Sequence, residues 1–138
     1  MTLRGPEITV DTAASRAQGL MQHLDNGPGN ALLQVFADAE RPEFGASSAL
    51  PTLVELPLAK PCGEIVDGGL RLHMRDAAGA MIMSTGAATW ARLLTAAGTL
   101  SMDLDVSVEG GEGQVQIPGS AQLLAGGYMT LAATSVIE

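Results

Sequence analysis

Nine consecutive residues alternate without a break between apolar and polar. Leu100, Met102, Leu104, Val106 and Val108 fall on one side, and Ser101, Asp103, Asp105 and Ser107 on the other, with Glu109 continuing the polar series. Successive side chains of a strand point to opposite faces, so this stretch specifies an antiparallel strand with one buried and one wet face. A helix would scatter the same residues around its axis. Upstream, Thr89-Trp90-Ala91-Arg92-Leu93-Leu94 reads as a second strand and Thr95-Ala96-Ala97-Gly98 as a tight turn. The clearest unit of the chain is therefore a β-hairpin over 89–108.

Shorter strands surround it. Leu32–Phe36, Leu53–Leu58, Leu70–Met74, Ala80–Ser84 and Gln114–Ile117 have strand character, and Met129, Leu131, Ala133 and Ile137 suggest a long final strand that Ser135 interrupts. Prolines at 51, 57 and 61 place the Leu53–Leu58 strand at a sheet edge, because each removes a ladder donor. Glu40-Arg41-Pro42 and the Ser-containing 45–49, then Asp76–Gly79, Gly110–Gly113 and Gly126-Gly127, read as loops and turns.

Ahead of the strands, Asp11 is the expected N-cap of a helix over 12–25 whose stripe of Ala13, Ala17, Leu20, Met21 and Leu24 is a packing face. Asn26-Gly27-Pro28 ends it, with Gly27 suited to the C′ position. Residues 1–10 read as an N-terminal arm in which Ile8 and Val10 can form a short edge strand. Residues 11–138 read as a single domain. About eight strands with turns every eight to twelve residues predict a mainly β fold: an antiparallel β-sandwich, jelly-roll-like, with one N-terminal α-helix.

Charge limits the partners. Seven Lys and Arg stand against fifteen Asp and Glu, a net charge of −8. Residues 93–138 contain neither Lys nor Arg while holding Asp103, Asp105, Glu109, Glu112 and Glu138. Duplex binding needs a basic stripe, so no nucleic acid partner is expected. No membrane is expected either, since no segment joins a basic face to an apolar one and no apolar run approaches the ~20 residues of a span. The first residues lack the apolar core of a secretion signal and Cys62 is the lone cysteine, so the expectation is synthesis in the cytoplasm without disulfides.

Candidate chemistry is sparse. His23, Cys62 and His73 lack the spacing of a zinc site, and Cys62, with only Lys60 as a basic neighbour, reads as a packed thiol. Asp103 and Asp105 lie about 6.6 Å apart along one strand face. A cation loop would need more oxygen ligands and a turn, so both are expected to be solvated. Gly27-Pro28-Gly29 and Gly110-Gly111-Glu112-Gly113 do not precede helices as phosphate cradles do, and there is no Gly-x-Ser-x-Gly. No catalytic, cofactor-binding or metal residue is assigned, and an enzyme is not expected. With 46% apolar and only 16% charged residues, against a usual charged share of about 25%, such a chain has difficulty clothing its exterior. That favours a subunit covered by neighbours, including a homo-oligomer, most simply a homodimer.

The run Gly86-Ala-Ala-Thr-Trp90-Ala-Arg92-Leu-Leu-Thr-Ala-Ala-Gly98-Thr-Leu-Ser-Met102-Asp103-Leu-Asp105-Val106 resembles a family of small virion structural proteins of tailed phages. Its members share Thr-Trp, an Arg, a Gly-containing turn and an apolar residue with Asp before Val. They also open with an Ala- and Leu-rich helix ending in Asn-Gly, as Ala13 to Gly27 does, and continue with an apolar strand, as Leu32–Phe36 does. Their last strand follows a Gly turn, as the chain does after Gly126-Gly127. The likeness is specific over 86–106 and loose over 13–137. Ala91 stands where the family has an aromatic, and Cys62-Gly63 where it has Phe or a small apolar residue.

The resemblance implies a jelly roll on the virion. In its cement (decoration) members it implies binding to the major capsid protein on the capsid exterior of an HK97-type shell. It implies a structural role for the motif, with Trp90 and Leu94 on one hairpin face and Arg92 paired to a carboxylate. Other readings are a tail or head–tail component and a carbohydrate-binding jelly roll, for which four aromatic residues offer little stacking surface.

Overall fold

The structure, a computed structural model, describes residues 9–138. Its helix, α1 (Val10–Asp25), begins earlier than expected because Thr9, not Asp11, is the N-cap: the Thr9 hydroxyl accepts from the Thr12 amide at 3.1 Å. Asp11 sits inside the first turn, where its charge complements the positive end of the helix dipole. The N-terminal arm thus loses Thr9 and Val10 to the helix, so Val10 is not strand, and the rest of that arm, including Ile8, lies outside the described residues. At the other end Asn26 is the C-cap, and Gly27 follows at φ +150°, where a Cβ would run into the backbone of Ala96 and Ala97.

Eleven strands follow among the described residues: β1 (Leu32–Phe36), β2 (Val54–Val66), β3 (Gly69–Met74), β4 (Ala80–Met81), β5 (Gly86–Ala87), β6 (Trp90–Leu94), β7 (Leu100–Val108), β8 (Val115–Ile117), β9 (Gln122–Leu123), β10 (Tyr128–Met129) and β11 (Val136–Ile137). Seven of them form one sheet in the order β11-β3-β2-β1-β6-β7-β8, antiparallel at every step except β7–β8. The short strands pair as β4–β10 and β5–β9. The large sheet is nearly closed into a barrel, and α1 packs on β2 and β3. The chain is therefore mainly β, a mostly antiparallel, jelly-roll-like sandwich with one leading helix. The count exceeds eight because five strands are only two residues long.

The core is aliphatic. Leu33, Val35, Leu56, Leu58, Leu70, Leu93 and Val115 pack with Ala17 and Leu24 from the expected stripe of α1. Each buried Leu or Val contributes about 1.5–3 kcal/mol over its exposed state.

Three local expectations give way. The proline-bearing strand is not an edge: β2 lies between β1 and β3 and runs on to Val66. Pro57 is tolerated because its missing donor faces the position just past the end of β3, where Arg75 still donates to the Pro57 carbonyl at 3.0 Å. Pro61 falls inside the register shift between Leu58 and Gly63, so no ladder bond is lost there either. The β7 alternation is buried only at its centre. Leu104 is inside, while Leu100 and Val108 are exposed because the strand outruns the core at both ends.

The long final strand splits into β10 and β11. Ser135 is fully buried and uses its hydroxyl on the edge of β8, accepting from the Gln116 amide at 2.9 Å and donating to the Gln116 carbonyl at 3.1 Å.

The parallel pair needs its own explanation, since such connections ordinarily take a dozen or more residues. Here only residues 109–114 separate β7 from β8. The chain doubles back tightly over itself, and a Cβ on Gly113 would lie 2.7 Å from the Ser107 nitrogen and 2.8 Å from the Asp105 oxygen. The buried Gln116 amide fills the loop, donating to the Gly111 and Gly113 carbonyls at 3.0 and 3.1 Å and accepting from the Gly110 amide at 3.1 Å.

Candidate interaction surfaces

The residues with ligand or nucleophile chemistry lie on different elements. His23 is exposed in the last turn of α1, Cys62 is buried on β2, and His73 on β3 stands 3.4 Å from a Glu64 carboxylate oxygen that also takes Arg71 at 2.9 Å. Among the described residues no three His, Cys, Asp or Glu come together. Burial, reinforced by the Asp25 carboxylate, pushes the Cys62 thiol up to about 12, so it stays protonated at neutral pH. Lys60 does not assist it. Its ammonium donates to the Gly27 and Gly29 carbonyls at 2.6 and 3.0 Å and ties down the exit of α1.

The hairpin face that the alternation predicts to be wet is covered at Asp103. Arg92 on β6 sits directly across from Asp103 on β7 and grips it with two bonds, Nε to Oδ1 at 2.8 Å and Nη2 to Oδ2 at 3.1 Å. Their side chains are 12% and 4% exposed, so Asp103 is a buried ion-pair partner rather than a solvated carboxylate. The hydrogen bonds to Asp103 raise the Arg92 pKa further. The Arg92 guanidinium also lies 5.0 Å from the centre of the Trp90 ring, which stacks on Phe36 at 4.4 Å. Asp105, two residues on, is exposed and meets Arg41 at 3.0 Å.

What covers this floor is a loop, residues 38–49, whose ends are tied together by one carboxylate. Asp38 accepts from the Ser48 hydroxyl, from the Ala49 amide at 3.1 Å and from the Trp90 indole at 2.9 Å. The hydroxyl bond, with Trp90 and Ala49 adding to it, holds the Asp38 pKa below the ordinary carboxylate value against the opposing effect of burial. Arg92 reaches up to the Ala46 carbonyl at 2.7 Å. Such a closed surface segment is an Ω-loop. Phe44 is 66% exposed on its outside, and Leu50 is exposed just past its neck. The turn-forming residues mark a loop here, but nothing in their pattern marks Asp38 as its fastener.

A second apolar surface lies elsewhere. Met81 on β4 is paired with Tyr128 on β10, and the pairing continues as the Ile82 amide donates to the Gly127 carbonyl at 2.8 Å. Ile82 is buried while Met81 and Met83 on either side of it are exposed, so the two methionines share the outer face. Leu124 and Tyr128, 63% and 65% exposed, flank the turn opposite them. The sequence carries no charged residue from Ala77 to Ala91 or from Gly113 to Ile137, the two segments that build this end.

The two surfaces are built on different segments, the Ω-loop over β6 and β7 and the ribbon of β4 and β10. They approach each other near the start of β6: Asp38 necks the Ω-loop there on Trp90, and just past the neck the Leu53 carbonyl accepts from the Met83 amide at 2.7 Å, while Gly45 at the loop's tip lies beside Leu100, the partner of Leu94.

Among the described residues, no helix is long and apolar enough to cross a membrane. No family model matches the chain, and neither a curated protein nor a solved structure does.

Proposed function

We propose that this chain is a capsid cement protein: a non-enzymatic virion subunit that binds the major capsid protein on the outside of a phage shell and stabilises it against the push of packed DNA. The likeness of residues 86–106 to tailed-phage structural proteins supports the reading. The observation that carries it is the pair of exposed apolar surfaces, one on the Ω-loop and one on the β4–β10 ribbon. A subunit that bridges must hold two neighbours at once. Of the two surfaces, the Ω-loop suits the shell. Its fastening by Asp38 and Arg92 sets Phe44 in place beforehand, so docking loses little conformational freedom, and a large apolar side chain on a rigid base is the usual anchor of an interface.

Matured heads lacking the subunit test this directly. The purified chain should bind them, saturating at a fixed ratio to capsid protein, and binding should survive moderate salt because apolar contacts are not screened. Phe44→Ser should weaken it. Deleting residues 1–8, which spares the Thr9 cap, tests whether the N-terminal arm adds to the attachment. Failure to bind heads, with stoichiometric association with isolated tails, would assign the chain to the tail or head–tail junction instead. The carbohydrate reading is disfavoured, since Trp90 and Phe36 stack on each other and Phe44 and Tyr128 lie on separate surfaces.

A further inference from the structure

The uncharged end joins the two longest charge-free segments of the sequence. Each copy carries −8, so two copies repel wherever their acidic surfaces approach. That repulsion is weakest where the approaching segments hold no charge, and residues 77–91 and 113–137 pair with each other to make one such surface. Any other acidic partner would be favoured there for the same reason, but the arrangement of side chains favours a second copy. One strand of the ribbon presents Met81 and Met83. The other arm presents Tyr128, directly across from Met81, and Leu124. The two rows differ in a complementary way: flexible thioethers on one side, an aromatic ring and a branched aliphatic on the other. Sulfur against an aromatic edge is a favourable contact, and an unbranched Met adapts to whatever it meets. A two-fold axis running along the ribbon, between its strands, would set the Met row of each copy on the Tyr128 and Leu124 row of its partner.

We propose that this chain forms an isologous dimer through the uncharged β4–β10 end, with Met81 of one copy against Tyr128 of the other. The contact satisfies both rows twice over, as two-fold symmetry requires. It uses no side chain of the Ω-loop. It does not depend on the shell-binding reading, because the dimer forms in the absence of any capsid.

Sedimentation velocity of the full chain across about 1–100 μM tests it, spanning the affinities at which modest interfaces dissociate. The expected result is a concentration-dependent dimer that strengthens as salt screens the −8 charges. Met81→Lys and Tyr128→Glu should each give monomer with unchanged melting, since both positions are exposed. Mixing the two variants should restore a dimer, because the introduced lysine of one copy then meets the introduced glutamate of the other across one half of the contact, and the native pair remains in the other half. A wild-type monomer throughout the range overturns the inference, as does a dimer that survives both substitutions. Monomeric single variants that stay monomeric when mixed overturn the Met81–Tyr128 pairing. If the wild type is monomeric and Met81→Lys instead abolishes binding to heads, the end belongs to the capsid protein and not to a second copy.

Discussion

The Ω-loop and the uncharged end both turn apolar side chains outward, yet opposite kinds of bonding hold them. Asp38 at the neck of the Ω-loop and Arg92 and Asp103 beneath it concentrate buried charge in a chain that has few charges to place. The uncharged end uses main-chain pairing and glycine turns: Ile82 with Gly127, Gly126 with Ile82, Gly79 with Asp76. The first arrangement fixes an irregular segment, which has no ladder of its own, by giving its backbone side-chain partners. The second fixes an apolar face chiefly by main-chain bonds, with the Thr85 hydroxyl accepting from the Ala125 amide at 3.0 Å, and leaves its outward side chains uncharged. One surface is therefore vulnerable to loss of a carboxylate, and the other to an added methyl group.

The largest effect should come from the floor of the Ω-loop. Asp103→Ala strands the Arg92 guanidinium at 12% exposure and should cost about 3–5 kcal/mol in chemical denaturation. The paired replacement Arg92→Met with Asp103→Leu should cost far less, because neither charge is left alone. If the single variant proved as stable as the double, the pair would not be buried in the sense described.

Asp38→Ala comes next. It removes the acceptor of Ser48, Ala49 and the Trp90 indole, and stranding buried donors costs about 1–3 kcal/mol each, partly relieved here by water at the loop's edge. Trp90, the sole tryptophan, should shift its emission to longer wavelength as the loop lifts. Acid should do the same. Because the folded pKa of Asp38 is depressed, its contribution is present above the ordinary carboxylate value and is lost as pH falls through the lower folded value. The emission change therefore belongs below about pH 4, and it should be absent in Asp38→Asn.

At the other surface, Gly79→Ala is the sensitive change. Gly79 has φ +82° and a Cβ there would collide with the Met129 carbonyl, so β4 and β10 must part; about 1–3 kcal/mol is expected. Gly126, also at positive φ but facing open space, should tolerate alanine at about 1 kcal/mol from backbone strain alone. Neither change should move the Trp90 emission. A shift in either would mean that the two surfaces are mechanically coupled.

The same contrast explains what could be read from the sequence. The hairpin over 89–108, β1 and the stripe of α1 rest on periodicity, and each lies where the pattern put it, with β7 matching Leu100–Val108 at both ends. Arg92 finding a carboxylate followed from the resemblance and holds at Asp103. The misplaced features depend on contacts distant in sequence. Prolines mark an edge only if their missing donors face a partner, and the place where β3 ends is not written near Pro57. Ser135 breaks a strand because β8, nineteen residues earlier, needs its hydroxyl. Asp38 and Ser48 gave no signal because a fastener is defined by the floor it is fastened to, and Trp90 lies fifty-two residues away. The uncharged end was hidden for a different reason: it is two unremarkable segments until β4 pairs with β10.

The smallest effect is also the sharpest test of the floor. Asp103 and Asp105 share one face of one strand, both meet an arginine, and by spacing alone they are equivalent. Their surroundings separate them. Arg41 and Asp105 are 42% and 63% exposed, so each keeps most of its hydration, and the gain from pairing is offset by ordering two mobile side chains. Asp105→Ala should change stability by less than about 0.5 kcal/mol, and moderate salt should erase even that. Asp103→Ala should keep its full cost in the same salt, since mobile ions do not reach a pair covered by the Ω-loop. Denaturation of the two variants with and without salt therefore measures how well residues 38–49 seal the floor. Equal salt sensitivity would mean that water and ions pass beneath the loop, leaving Phe44 without a rigid base.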